Sequence, residues 1–234
     1  LIDLHIHSTF SDGKDFPEDM VRAAIAMGLQ TVALCEHVRQ TTGWFPEYIR
    51  EVQRLKQKYK KIIRVYSAIE VKVVDLAGNI DTRPEFFVAD IVYAAVHRVP
   101  LGKGEFCSGQ EDRKTLKSNW LSCLRAAILH NDHVTALAHL FLPAIQYGLE
   151  INKSDIQNLA QLVASSEKAV EISLKYGHPA QDQFFYLLAG KVPFTIGSDS
   201  HSVQEMLERK QALEIAWKKW GRFCECRIDR AGSG

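Results

Sequence analysis

The sequence predicts an α/β fold, a single domain of about seven β/α units arranged as a TIM-like barrel. Three observations predict it. Short runs at 2–5, 31–34, 63–69, 91–96, 135–138, 170–172 and 193–196 are apolar on both faces, the pattern of a parallel sheet covered on each side. Stretches with helical apolar spacing separate them. No Pro-rich linker, composition shift or internal repeat divides the 234 residues, a length that α/β barrels reach as one unit.

Each element has its own local signal. After the first strand, Pro17 followed by Glu18 and Asp19 marks a helix start, with acidic side chains at the positive end of the dipole. Beyond the second strand, Tyr48, Val52, Leu55 and Tyr59 line one helical face. The third strand runs into 71–80, "VKVVDLAGNI", which reads as a hairpin turning at Ala77, Gly78 and Asn79. Leu116, Trp120, Leu124 and Ile128 form the next helical stripe. Ser154-x-x-Gln157 and Ser202-x-x-Glu205 fit capping boxes for the last helices. Met206, Leu213, Trp217 and Trp220 supply the apolar face of the final one. The barrel is expected over 1–222, with 223–234 as a flexible tail; the start at Leu1, without Met and directly on a strand, reads as trimmed or processed.

Composition narrows the function classes. Lys plus Arg number 29 and Asp plus Glu 28, a net charge of +1 that exerts no global pull toward nucleic acid or an anionic membrane. No run is long and apolar enough for a membrane span, and no signal peptide is evident. Cys35, Cys107, Cys123, Cys224 and Cys226 are odd in number and scattered, as expected of free thiols in a reducing, cytoplasmic compartment.

In a β/α barrel the functional groups gather at the carboxyl ends of the strands. The first strand ends in His5 and His7, followed by Asp12, and two residues two apart on a strand share a face. The second ends in Glu36 and His37, the third in Glu70, the fourth in His97 and Arg98, the fifth in His139, and the seventh in Asp199 and His201. Six of the nine histidines lie on this rim. Burying so many imidazoles and carboxylates without cations is costly, and metal ions remove the conflict. Nine ligands, His5, His7, Asp12, His37, Glu70, His97, His139, Asp199 and His201, exceed what one or two four-coordinate sites need and suit three ions. His130 and His133 read as surface or capping residues, whereas His178 falls on the rim within reach of a substrate.

Together "DLHIHSTFSDG", "CEH", "AIE", "AAVHR", "LAH" and "GSDSH" resemble the PHP (polymerase and histidinol phosphatase) family of metal-dependent phosphoesterases, in order, over residues 3–201. The resemblance implies a distorted seven-stranded (β/α)7 barrel with a trinuclear centre on its carboxyl rim. It further implies that His5, His7, Glu70 and Asp199 hold one ion, that Glu70 bridges to a second held by His97 and His139, and that Asp12, His37 and His201 hold the third. No ligand of the set is missing, and Cys35 stands where relatives often carry Thr.

Such a centre is expected to acidify a shared water and direct it at phosphorus, with Glu70, His97 and Asp199 positioning the attacking hydroxide. Arg98 and Lys175 are the expected phosphate clamps, His178 a further substrate contact, and Arg39 and Lys14 weaker candidates that read equally as solvated loop charges. The expected cofactors are three divalent ions, Zn, Mn or Fe. The expected substrate is a small phosphorylated monoester resembling histidinol phosphate, with specificity drawn from loops 101–114 and 176–181. A phosphodiesterase or exonuclease acting on nucleotides is the alternative, against which the neutral charge balance speaks mildly. A noncatalytic, metal-stabilised module of a larger protein is the other.

Overall fold

In the computed structural model, which describes residues 1–102 and 104–224, strands and helices alternate along the chain. Strand β1 (Ile2–Ile6) leads to α1 (Pro17–Ala26), β2 (Thr31–Val38), α2 (Phe45–Tyr59), β3 (Arg64–Lys72) and β4 (Ile91–Ala95). A small pair, β5 (Pro100–Gly102) and β6 (Glu105–Phe106), precedes α3 (Arg113–His130), β7 (Ala136–Leu137), α4 (Leu142–Tyr147) and α5 (Lys153–Ala164). The chain continues through β8 (Ala169–Ser173), α6 (Pro179–Leu188), β9 (Phe194–Gly197) and α7 (Val203–Trp220).

Seven parallel strands pair in the order β1-β2-β3-β4-β7-β8-β9. The outer two then approach each other. Ile6 bridges Ser200 in parallel, the His7 N–H donates to Ser200 O at 2.9 Å, and the Asp199 N–H donates to His5 O at 2.8 Å. The sheet thus becomes a nearly closed (β/α)7 barrel, and that closure brings the first and last ligand-bearing segments side by side.

The expected helical stripes are buried: Tyr48, Val52, Leu55 and Tyr59 on α2, and Leu116, Trp120, Leu124 and Ile128 on α3. Each fully buried aliphatic or aromatic side chain contributes roughly 1.5–3 kcal/mol relative to exposure. On α2, the Tyr48 hydroxyl donates to Leu34 O (2.7 Å) and accepts from the Ala68 N–H (2.8 Å), tying the helix to both β2 and β3.

Local expectations needed correction where tertiary contacts decide. The box on α5 is built by Asn152 and Asp155, not Ser154 and Gln157: the Asn152 side chain accepts from the Asp155 N–H, and the Asp155 carboxylate accepts from the Asn152 N–H, both at 2.9 Å. At α7, Ser202 accepts from the Glu205 N–H as expected, but Glu205 reaches back to the His201 N–H, so the box is open by one residue. The hairpin at 71–80 forms as expected, held by the Val73–Ile80 bridge, by the Val74 N–H donating to Asn79 O (2.8 Å) and by the Asp81 N–H donating to Lys72 O (2.9 Å), while β3 runs on to Lys72 to pair with β4. The antiparallel β5–β6 pair was not foreseen within loop 101–114. Among the described residues Cys35, Cys107, Cys123 and Cys224 are free thiols; Cys226 and the expected tail from 225 onward lie outside them.

Candidate metal centre

Parallel pairing sets the carboxyl ends of β1, β2, β3 and β4 on one rim, so side chains of one strand face project to a common point. His5 and His7 are fully buried, and their Nε2 atoms lie 3.1 Å apart. Glu70 stands at the centre. Its Oε2 is 3.3 Å from His5 Nε2 and 3.0 Å from His37 Nδ1, while its Oε1 is 3.0 Å from His97 Nε2 and 2.7 Å from His139 Nε2.

Asp199 Oδ1 lies 3.4 Å from His7 Nε2 and 3.5 Å from His201 Nδ1. At the solvent side Asp12, whose side chain is 54% exposed, reaches His37 Nε2 at 3.4 Å and His201 Nε2 at 3.5 Å. All nine residues expected from the sequence therefore meet at one rim. Three subsets have donor atoms close enough for a shared ion: His7, Asp12, His37 and His201; His5, His7 and Asp199; and His37, Glu70 and His97. His7 and His37 each fall in two subsets, so the three groups of donors adjoin one another.

The backbone at the rim is itself unusual. His139 (φ 27°) and Asp199 (φ 51°) occupy the left-handed region, which non-glycine residues rarely adopt and which concentrates at functional sites. The surroundings over-determine both: the His139 N–H donates to a Glu171 oxygen at 2.7 Å and the Asp199 N–H to His5 O.

Glu171, Gly197 and Tyr93 escaped the sequence reading, and Glu36 was noted there only as a strand end. Glu171, in mid-strand on β8, is buried; one oxygen lies 2.6 Å from His5 Nδ1 and the other accepts from His139. That carboxylate places the His5 proton on Nδ1 and turns the Nε2 lone pair toward Glu70 and His7. Gly197 on β9 leaves the space for this pair, since a Cβ there would overlap Glu171 Oε1 and sit 2.6 Å from His5 Cβ. The Tyr93 ring stacks on His5 at 5.0 Å. Glu36 anchors the loop carrying Asp12: its oxygens accept from the backbone and hydroxyl of Ser8 (3.0 and 2.5 Å) and of Ser11 (3.2 and 2.5 Å), and burial raises its carboxyl to about 7. For Glu171 the signal was an acid inside an apolar run, "AVEIS".

The electrostatics fit divalent cations. Burial opposes charge on His37, but Glu70 and then Asp12 overcome it and push the imidazole up to about 10. Likewise burial opposes charge on His5, which Cys35, Glu171 and Glu70 outweigh, and on His139, which Glu70 outweighs; both are raised. Burial lowers His7 to about 4. Glu70 and Asp199 are held below the usual carboxylate range, burial being outweighed by the histidines around them. Facing Nε2 atoms 3.1 Å apart, and buried Nδ1 atoms of His7 and His139 without a hydrogen-bond partner, mark a donor set made for cations.

The expected substrate contacts are placed differently from one another. Lys175 Nζ is 3.3 Å from Asp199 Oδ1 and faces the centre. Arg98 is exposed and donates to Cys107 O at 2.7 Å. The His178 ring stacks on Phe141, and its Nδ1 accepts from the Ala180 N–H at 3.0 Å as the cap of α6.

Comparison with known proteins identifies the family and the fold. The pattern described as PHP domain matches residues 3–175. A histidinol-phosphatase of Lactococcus lactis is 28% identical over 86% of this chain and 84% of its own. A probable histidinol-phosphatase of Thermotoga maritima is 26% identical over 88% of this chain and 86% of its own. The DNA polymerase/3'-5' exonuclease PolX of Bacillus subtilis is 26% identical over 93% of this chain, which spans 37% of that protein. Among solved structures, the Lactococcus lactis histidinol phosphate phosphatase, complexed with zinc, L-histidinol and phosphate, superposes with a TM-score of 0.69 at 23% identity, covering 94% of this chain and 93% of its own.

Proposed function

The chain belongs to the PHP domain family, and from that premise we propose that it is a metal-dependent phosphoesterase hydrolysing a small phosphorylated monoester, as the histidinol-phosphatases similar to it are named for doing. The observation that carries the reading is the gathering of six histidines around Glu70 and Asp199, with Asp12 beside His37 and His201. His5, His7, Glu70 and Asp199 would hold one ion, Glu70, His97 and His139 a second, and Asp12, His37 and His201 a third. When bound, divalent ions supply Lewis acidity toward phosphoryl oxygens and acidify water. The donor set suits Zn, Mn or Fe.

The chain's own groups do the rest. Glu171 holds the proton of His5 on Nδ1 and so keeps Nε2 directed into the centre. Glu70 spreads its two oxygens among His5, His37, His97 and His139, fixing their spacing. Lys175 keeps its ammonium charge, because Asp199 outweighs the effect of burial, and it is placed to meet a phosphoryl oxygen beside Asp199. Arg98, next to His97, offers a second cation, and with Nδ1 of His178 engaged in the α6 cap its Nε2 is left for a leaving group.

A second reading, cleavage of nucleotide phosphodiesters, is favoured by the likeness to the polymerase/exonuclease. One experiment separates the readings: metal content of chelator-free protein, with phosphate release from an aryl monoester and from an aryl nucleotide diester on the same sample. The expected result is two to three ions per chain and monoester turnover that His5→Ala abolishes. Metal-loaded protein inert toward the monoester overturns the first reading, and turnover of the diester alone establishes the second.

A further inference from the structure

Beyond the metal ligands, the same strands carry a second set of charges. Val38 pairs with Val71, which sets the residues that follow, Arg39 and Lys72, side by side at the ends of β2 and β3. Each stands two residues past a ligand, His37 or Glu70, so each continues the same strand face one pleat farther out, about 7 Å toward the mouth. Arg98 follows His97 in the loop just past the next strand, β4.

The β5–β6 pair gathers two of these cations onto one ring. Lys72 Nζ lies 3.5 Å above the centroid of Phe106 and Arg98 Cζ 5.9 Å from the same centroid. Burial depresses the Lys72 ammonium, and repulsion from Arg39 and Arg98 depresses it further, with only Asp81 pulling the other way. Asp81 is itself engaged by the Gln40 N–H at 3.0 Å. Among the described residues no carboxylate forms an ion pair with Arg39, Lys72 or Arg98.

Three cations gathered at the mouth of an acid-rich centre, with Asp81 as an acidic neighbour but no ion pair among the described residues, repel one another unless an anion joins them. We propose that Arg39, Lys72 and Arg98 form an anion subsite that binds a second acidic group of the substrate, about one pleat from the metal centre. The substrate is then a phosphate monoester whose leaving group bears a further phosphate or carboxylate across a spacer of about three carbons. This rests on the phosphoesterase reading for the first anion and departs from histidinol, whose amine is cationic. Lys175, on the β8 side, serves the scissile phosphoryl group, and the two cationic sides of the mouth divide the work.

The test is calorimetric titration of the metal-loaded protein with three non-hydrolysable probes: propylphosphonate, 1,3-propanediphosphonate and 4-phosphonobutanoate. At least one two-headed probe is expected to bind about 10-fold tighter than propylphosphonate, and which one does so tells phosphate from carboxylate. In Lys72→Gln/Arg39→Gln that advantage is expected to fall to within about twofold, with propylphosphonate affinity retained. Both side chains lie at the surface or half-buried, and Arg39→Gln alone provides a milder variant. Equal affinities for all three probes in the parent protein, or an advantage that survives both substitutions, overturn the subsite alone. Failure of every probe to bind overturns it together with the phosphoryl-binding reading.

Discussion

At the scale of single residues, the arrangement turns on Glu171. It is the only contact made to His5 Nδ1 by a carboxylate in the structure's described residues, at 2.6 Å, and its other oxygen steadies His139 in a left-handed backbone. Neutralising it leaves the fold's packing in place but frees the His5 tautomer. Glu171→Gln should therefore weaken metal binding by about 10- to 100-fold, read by competition with a calibrated chelator. An unchanged metal affinity would remove Glu171 from the centre. Gly197→Ala is the steric counterpart, since its Cβ intrudes on both Glu171 and His5. Most of the nine ligand-type residues were legible because they sit near or just past the end of an apolar run, where a barrel delivers side chains to its rim. Glu171 was not, because it lies within its strand, and only barrel closure between β1 and β9 carries His5 against it.

At the scale of elements, what could be read depended on whether local chemistry or a distant partner decides. The apolar stripes of α2 and α3 predicted their buried faces, since helical period alone sets them. The cap of α5 shifted from Ser154 to Asn152 because two neighbouring polar residues compete for the same orphan N–H groups, and the extended backbone at Asn152 decides between them. Asn152→Ala should cost about 1 kcal/mol in urea unfolding, and Ser154→Ala close to nothing. The turn after β3 was legible at Gly78, but the reason for glycine there was not. Gly78 has φ 79°, and an added Cβ would overlap the α3 backbone, lying 2.8 Å from Ala127 Cα. Gly78→Ala should destabilise by about 2–4 kcal/mol, combining an unfavourable φ with a backbone clash that neither element can relieve alone. A denaturation midpoint equal to that of the parent protein would mean that the turn is free to lift away from α3.

At the scale of the whole molecule, closing the barrel concentrates six histidines around a few carboxylates, and protons and metal ions must compete for that charge. In chelated protein the protons prevail. The folded pKa of His37 is about 10, above its ordinary value near 6.5, so the stability it contributes is complete below 6.5 and is lost as pH rises through 10. His5 and His139 shift in the same direction. His7, lowered to about 4, behaves oppositely: its contribution is present above 6.5 and is lost as pH falls through 4. Chelated protein should therefore be most stable near neutrality and lose melting temperature steadily from pH 7 to 10. Metal-loaded protein should not follow that decline, because its ligands must shed the same protons to bind and affinity rises with pH. At free metal 100 times the dissociation constant, each ion adds about 2.7 kcal/mol, so the two melting curves should diverge as pH increases. Loading near pH 8 should release protons from the imidazoles held above their ordinary range, His37 foremost, measurable with an indicator dye in weak buffer. If the two curves run parallel and no protons are released, the imidazoles are neutral before metal arrives, and the carboxylates of Glu70 and Asp199 do not control the charge of the centre.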